Sequence, residues 1–141
     1  MKTSVRKNIT DLQYSLHDMR VSSMKFSNDT LILEFPFGIV SIENPCRQTD
    51  GRAFVKFENV DPDSSYVYVM NFCGNTGSFT GEKLPLKEFI SDFSDKSFEV
   101  IDETYGYNLS KFSGFLSVDI DIKECVIEIY HLGNMEYIIE E

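Results

Sequence analysis

SMKFSNDTLILEF, residues 23–35, alternates apolar and polar side chains on both sides of a central Asn28-Asp29 pair. Met24 and Phe26 share one face before this pair. The apolar residues after it also share a face: Leu31, Leu33 and Phe35. A period of two residues is typical of a half-buried β-strand, and Asn and Asp tolerate the positive φ of a type I′ turn. The segment therefore predicts a β-hairpin.

The same alternation recurs through the rest of the chain. It covers residues 53–57, 66–72, 116–122, 125–132 and 135–140, and Gly133-Asn134 predicts a hairpin connection between the last two. Only residues 85–93 have helical spacing, with Leu86, Phe89, Ile90 and Phe93 on one stripe. We therefore expect a mainly β (α+β) fold, an antiparallel sandwich or partly open barrel of about eight short strands with one helix.

The length of 141 residues fits one compact domain, residues 1–141. Residues 1–11 precede the alternating pattern and predict a flexible or loosely docked arm. The helix at 85–93 does not mark a domain boundary, because each half alone is small for independent stability. The segment 135–140 is a candidate exposed edge for pairing, so a monomer and a homodimer are both expected.

Charge and composition restrict the classes of partner. The net charge is −10, with +3 on residues 1–25 and hence −13 on the remainder. Nucleic-acid binding depends on Lys and Arg neutralising phosphates, so a nucleic-acid partner is not expected, whereas a basic partner protein is. No apolar run is long enough for a membrane span, and no secretory signal follows the start, so a cytoplasmic location is predicted.

Two groups of polar residues are candidate sites. His17-Asp18 resembles a catalytic or ligand pair, but adjacent residues of an extended chain point to opposite faces, which favours the plain start of a strand. Asp119 and Asp121 are two residues apart and are expected to share one solvated strand face. We treat all four residues as candidate partner contacts.

The glycine-rich segment GNTGSFTGEK, residues 74–83, lacks the Gly-Lys-Ser/Thr ending of a phosphate-binding loop. Phe79, within it, is either a core plug or an exposed anchor for a partner. His17 and His131 with a carboxylate can in principle hold a metal, but no spacing requires it. The three cysteines show no zinc spacing, and no catalytic residue, cofactor or metal site is predicted.

LHDMRVSSMKFSNDTLILEF, residues 16–35, resembles the opening of several small bacterial families of unknown function. In these families a Leu-His-Asp sequence precedes a β-hairpin with a small polar pair at its turn. The likeness is carried by Leu16, His17, Asp18, Asn28, Asp29, Leu31 and Leu33. Some of these families resemble immunity proteins of toxin systems, which bind and block a cognate toxin.

Together these features predict a non-enzymatic, acidic protein-binding domain, an immunity protein for a basic toxin being one form of it. The alternative is a small-ligand-binding β-barrel or sandwich whose cavity is lined by tyrosines. The sequence contains seven tyrosines, several of them at strand positions.

Overall fold

The computed structural model describes residues 1–7, 12–43, 45–71 and 80–140. The elements in these ranges are β1 (Lys2–Val5), β2 (Tyr14–Ser15), β3 (Arg20–Val21), β4 (Ser23–Ser27), β5 (Thr30–Phe35), β6 (Val40–Ser41), β7 (Arg47–Gln48), β8 (Ala53–Phe57), β9 (Tyr66–Met70), β10 (Gly81–Pro85), α1 (Leu86–Ser91), β11 (Lys96–Gly106), β12 (Leu109–Val118), β13 (Asp121–Tyr130) and β14 (Met135–Ile139). A short 3-10 helix spans Pro62–Ser64.

The strands form two large sheets that pack face to face. One sheet has the order β1-β14-β8-β5-β4 and the other has the order β10-β9-β13-β12-β11-β3. A small third sheet joins β2, β6 and β7. The pairings are antiparallel and the sheets do not close on each other, so the predicted antiparallel sandwich is confirmed and the partly open barrel is not formed.

The hairpin predicted at residues 23–35 is present as β4 and β5. Asn28 and Asp29 occupy its two-residue turn with φ values of 52° and 58°, as a type I′ turn requires. The apolar residues on the inner face of β5 are almost fully buried: Leu31, Leu33 and Phe35. The alternation therefore predicted both the turn and the buried face correctly.

Side chains from the inner faces of the two sheets fill the core. Phe57 of β8 meets Phe112 of β12 edge to face, with ring centroids 6.1 Å apart. The helix predicted at residues 85–93 is observed as α1, and Leu86 and Phe89 are buried against the sandwich together with Phe93. Burial of this apolar surface is the main stabilising contribution to the fold.

Two expectations about the ends of the chain need correction. Residues 2–5, expected to belong to a loose arm, pair with β14 as an edge strand, while residues 8–11 lie outside the described residues. Residues 135–140 were a candidate exposed edge, but β14 lies between β1 and β8. The edge of β14 is therefore covered by β1, whose residues 2–5 pair with residues 136–139.

The hairpin predicted at Gly133-Asn134 is wrong, because β13 and β14 belong to different sheets. The segment after β13 instead crosses the gap between the sheets along the end of β8. His131 forms a bridge to Val60, and the amide of Gly133 donates to the carbonyl of Glu58. A Cβ atom on Gly133 would lie 2.7 Å from that carbonyl oxygen, so the glycine is required for close approach.

The described part of the chain contains fourteen strands, compared with about eight predicted. Four of them are two-residue strands, β2, β3, β6 and β7, which are too short to show an alternating pattern. The strand predicted at residues 116–122 is in fact divided between β12 and β13. Short pairings and tight turns therefore account for the difference.

A polar cluster is enclosed between the sheets around Glu103. The Glu103 carboxylate accepts hydrogen bonds from the Ser15 hydroxyl (2.8 Å), the Leu16 amide (2.7 Å) and the Tyr105 hydroxyl (2.8 Å). The hydroxyl of Tyr137 is buried without a hydrogen-bond partner among the described residues. Burial raises the pKa of Tyr105, and it raises the pKa of Tyr137 to about 12.

These tyrosines predict a loss of stability in alkali. Unfolded tyrosines ionise near pH 10 and the folded ones ionise at higher pH, so their stabilisation is complete below about pH 10 and is lost as the pH rises further. Tyr137→Phe should reduce this loss and, because it removes an unpaired hydroxyl, stabilise the protein by about 1 kcal/mol at neutral pH. Urea unfolding at about pH 8 and about pH 11 measures both effects. An equal stability difference between wild type and variant at both pH values would be contrary to the titration argument.

Candidate functional site

The β12–β13 hairpin ends in a two-residue turn that presents an isoleucine to solvent. Val118 pairs with Asp121, which leaves Asp119 and Ile120 as the turn residues. Asp119 has a φ of 53°, a conformation that aspartate tolerates better than most residues. The Ile120 side chain is 98% exposed. The turn therefore displays a large apolar group with no core contact to account for it.

This geometry corrects the expectation that Asp119 and Asp121 share one face of a single strand. The two carboxylates lie on either side of Ile120, one within the turn and one at the first position of β13. The alternating pattern continues through the turn, because a two-residue turn does not break the sequence period. Both aspartates are exposed, as the alternating pattern indicated.

Further exposed apolar side chains adjoin the turn on the outer face of the six-stranded sheet. Ile122 is 56% exposed and Phe115 is 37% exposed. Phe115 lies opposite Glu124, and Ile122 lies opposite Ser117 in the same ladder, so Phe115 and Ile122 are diagonal neighbours. We call this surface the tip patch; it consists of the outer-face residues Phe115, Ile122 and Glu124 and of the hairpin tip itself, Asp119, Ile120 and Asp121.

The carboxylates of the tip patch are not neutralised within the described part of the chain. Asp119, Asp121 and Glu124 have no Lys or Arg nitrogen within salt-bridge distance there, whereas Glu128 on the same face approaches Lys111 at 4.0 Å. Arg20 likewise pairs with Glu99 at 3.3 Å. The exposed isoleucine therefore lies among three carboxylates that form no ion pair within the described ranges, although Lys96 and Lys123 are near in the strand register.

His17 and Asp18 lie in a turn between β2 and β3, not in an extended strand. Their side chains meet, with His17 Nδ1 3.0 Å from Asp18 Oδ2, so the expectation that they point to opposite faces is wrong. The reason is the turn itself, in which Asp18 has a φ of 65°. The amide of Asp18 bonds the carbonyl of Val100, in the middle of β11, so the pair is separate from the tip patch.

Phe79 lies outside the described residues, so its predicted role as plug or anchor is not addressed by the structure. Asn71 and Thr80, on either side of residues 72–79, are described, and the Asn71 amide donates a hydrogen bond of 3.0 Å to the carbonyl of Thr80. β9 ends at Met70, opposite Glu124. The chain therefore leaves β9 at the end of the sheet that carries the tip patch.

The structure separates the two histidines that were considered as metal ligands. His17 is exposed, whereas His131 is only 8% exposed and bonds Ser110. Within the described ranges, no group of three His, Cys, Asp or Glu side chains is arranged to hold a metal ion. Cys125 is buried, which raises its pKa to about 12, and Cys46 is exposed.

No protein-family model matches this chain, and no curated protein or solved structure is significantly similar to it. Among the described residues, no helix is long and apolar enough to cross a bilayer. The candidate site therefore depends on geometry alone. The two aspartates of the tip patch were candidate contacts from the sequence, whereas Ile120 and Ile122 fell at ordinary positions of the alternating run 116–122 and Phe115 was not singled out.

Proposed function

We propose that this chain is a protein-binding domain that engages a basic partner protein through the tip patch. The observation that carries the proposal is the 98% exposure of Ile120 between two aspartates. An isoleucine held in water by a tight turn gains the transfer free energy of its side chain when a partner covers it, about 1.5–3 kcal/mol. Together with Ile122 and Phe115 it forms the apolar centre that protein interfaces require.

The charge of the chain supports a cationic partner. The net charge is −10, and the carboxylates of Asp119, Asp121 and Glu124 near the apolar centre form no ion pair with any described residue. Complementary charge speeds encounter and fixes orientation, while the apolar contacts limit the rate of dissociation. Such a surface fits a basic groove better than an apolar one.

An immunity protein that neutralises a basic toxin is the specific form we propose. The acidity of the chain and the resemblance of residues 16–35 to such families support it. A projecting hairpin turn can enter a concave active site, which is a direct way to block an enzyme. The well-filled core also favours this function over a ligand-binding interior, because Leu31, Val55 and Phe57 between the sheets are fully buried.

An affinity capture with matched charge variants tests the proposal. The immobilised chain is exposed to lysate of its source cells and eluted with rising salt, alongside Asp119→Asn/Asp121→Asn and Glu82→Gln/Glu88→Gln. Both variants remove two charges, but Glu82 and Glu88 are exposed residues of β10 and α1, outside the tip patch. We expect a basic protein to be retained by the wild type and the Glu variant and to be released at lower salt by the Asp variant. Equal elution from both variants, or no retained basic protein, would refute the tip patch as its binding site.

A further inference from the structure

A serine and a histidine meet at the end of the sandwich opposite the tip patch. Ser110 is near the start of β12 on its inner face, and His131 directly follows β13. The Ser110 Oγ lies 2.8 Å from His131 Nε2, and His131 Nδ1 lies 2.9 Å from the carbonyl oxygen of Gly133. The histidine is thus held between a hydroxyl and a backbone acceptor.

The direction of these hydrogen bonds follows from the groups involved. The Gly133 carbonyl can only accept, so Nδ1 must carry the proton of the neutral imidazole. Nε2 then has a free lone pair and accepts the hydroxyl proton of Ser110. A nucleophile whose proton points at a base, with the base oriented by a third group, is the arrangement that activates serine for covalent catalysis.

We propose that Ser110 and His131 form a nucleophile–base pair that accepts the acyl group of a small ester. Both side chains line a cleft of about 190 Å³ at the end of the sandwich. Ser110 is 2% exposed and His131 is 8% exposed, so only a small electrophile can reach the hydroxyl. This site is separate from the tip patch and does not depend on the proposed partner.

The other polar groups of the cleft suit the same reaction. Arg6, Asn108 and Asn134 also line it and carry N–H donors. Donors of this kind stabilise the negative oxygen that develops on a carbonyl carbon under nucleophilic attack. The cleft therefore brings side chains that carry N–H donors into the same small volume as the nucleophile and the base.

The reaction balances with water as the second substrate. The Ser110 oxygen forms a bond to the ester carbon while its proton passes to His131 Nε2; the ester C–O bond then breaks, and the alcohol leaves with that proton. Water, deprotonated by the same nitrogen, attacks the acylated serine. The carboxylic acid leaves, and the proton returns to the Ser110 oxygen.

The environment of His131 keeps it available as a base. Burial lowers its pKa, the hydrogen bond to Gly133 opposes this shift, and the positive charge of Arg6 lowers the pKa further. The Phe57 ring and Met135 on the neighbouring strands are uncharged. The imidazole is therefore neutral at pH 7, the state in which it can accept the serine proton.

Diisopropyl fluorophosphate, which phosphorylates activated serines with loss of fluoride, tests the pair on the full chain. We expect a single adduct by intact mass, placed on Ser110 by peptide mapping and absent from Ser110→Ala and from the urea-unfolded chain. Ser113→Ala, on the outer face of the same strand, is the matched control and should label as the wild type does. The wild-type labelling rate should rise with pH through a midpoint below about 6.5, where His131 loses its second proton, and should be constant at higher pH.

His131→Gln separates activation from simple exposure of the serine. A base role predicts at least a tenfold slower labelling and loss of the pH midpoint in a variant whose urea unfolding remains cooperative. Labelling at another serine, equal labelling of Ser110→Ala, or no adduct on the folded wild type would overturn the proposal and leave Ser110 and His131 as a buried hydrogen-bonded pair.

Discussion

Gly114→Ala should destabilise the protein by about 3 kcal/mol or more, which is a large part of the total stability of a domain of this size. Gly114 lies in β12 opposite Val100, where β11 has an irregular register between Val100 and Asp102. A Cβ atom at Gly114 would lie 1.8 Å from the carbonyl oxygen of Glu99 and 3.1 Å from the amide nitrogen of Ile101. Both atoms are backbone, so no side chain can move aside and β11 and β12 must separate.

Gly106→Ala is the matched control for this substitution. Gly106 lies at the end of β11, where the nearest atom to an added Cβ is the Leu109 carbonyl oxygen at 4.0 Å. We expect a change within about 0.5 kcal/mol, as for other surface substitutions. Urea unfolding followed by circular dichroism measures both variants. Similar stabilities for the two would contradict the close approach of β11 to β12.

Phe57→Ala should cost about 3–5 kcal/mol, because it removes a fully buried ring and leaves a cavity between the sheets. Phe57 is 0% exposed. Its ring contacts those of Phe112 and His131, with ring centroids 6.1 Å and 5.2 Å apart, respectively. It therefore connects β8 of one sheet to β12 and to the segment after β13. The loss should appear as a lower urea midpoint, with the slope unchanged.

Phe54→Ala, on the outer face of the same strand, is the control. Phe54 is half-buried and lies near Arg52, whose guanidinium carbon is 5.8 Å from the ring centroid. It loses less apolar contact on truncation, so we expect a cost of about 1 kcal/mol. If Phe54→Ala were as destabilising as Phe57→Ala, the assignment of inner and outer faces on β8 would be wrong.

Local pattern predicted the class of fold because a period of two residues reports burial directly. Leu31, Leu33 and Phe35 were assigned to one face and are buried together, and Asn28-Asp29 predicted the turn that sets their register. The helical spacing of the apolar residues at 85–93 likewise predicted the helix, which is present as α1. These features depend only on neighbouring residues, so they are visible without knowledge of the rest of the chain.

Features that depend on distant residues were not predicted. Whether the chain pairs with the preceding strand or crosses to the other sheet at Gly133 is decided by contacts with Glu58 and Val60, far away in sequence. The bond between Ser110 and His131 has the same origin. The residues next to Ser110 and His131 in the sequence do not indicate that these two side chains meet.

The tip patch was found only in part, for a different reason. Val118 and Ile120 continue the alternation of β12 through the turn, so Ile120 resembled an ordinary strand residue. The available signal was Asp119, a residue that tolerates positive φ, in the middle of the alternating run. Sequence alone cannot show that the isoleucine beside it is exposed.

The dissociation constant of the captured basic partner tests the role of the tip patch most directly. It should be measured for the wild type, for Ile120→Ser and for Leu132→Ser, since Leu132 is also exposed, at 66%, but lies beyond the opposite end of β13. We expect Ile120→Ser to weaken binding by at least about tenfold, equivalent to about 1.4 kcal/mol, and Leu132→Ser to leave it unchanged. Unchanged binding by Ile120→Ser, or equal weakening by both variants, would contradict the account.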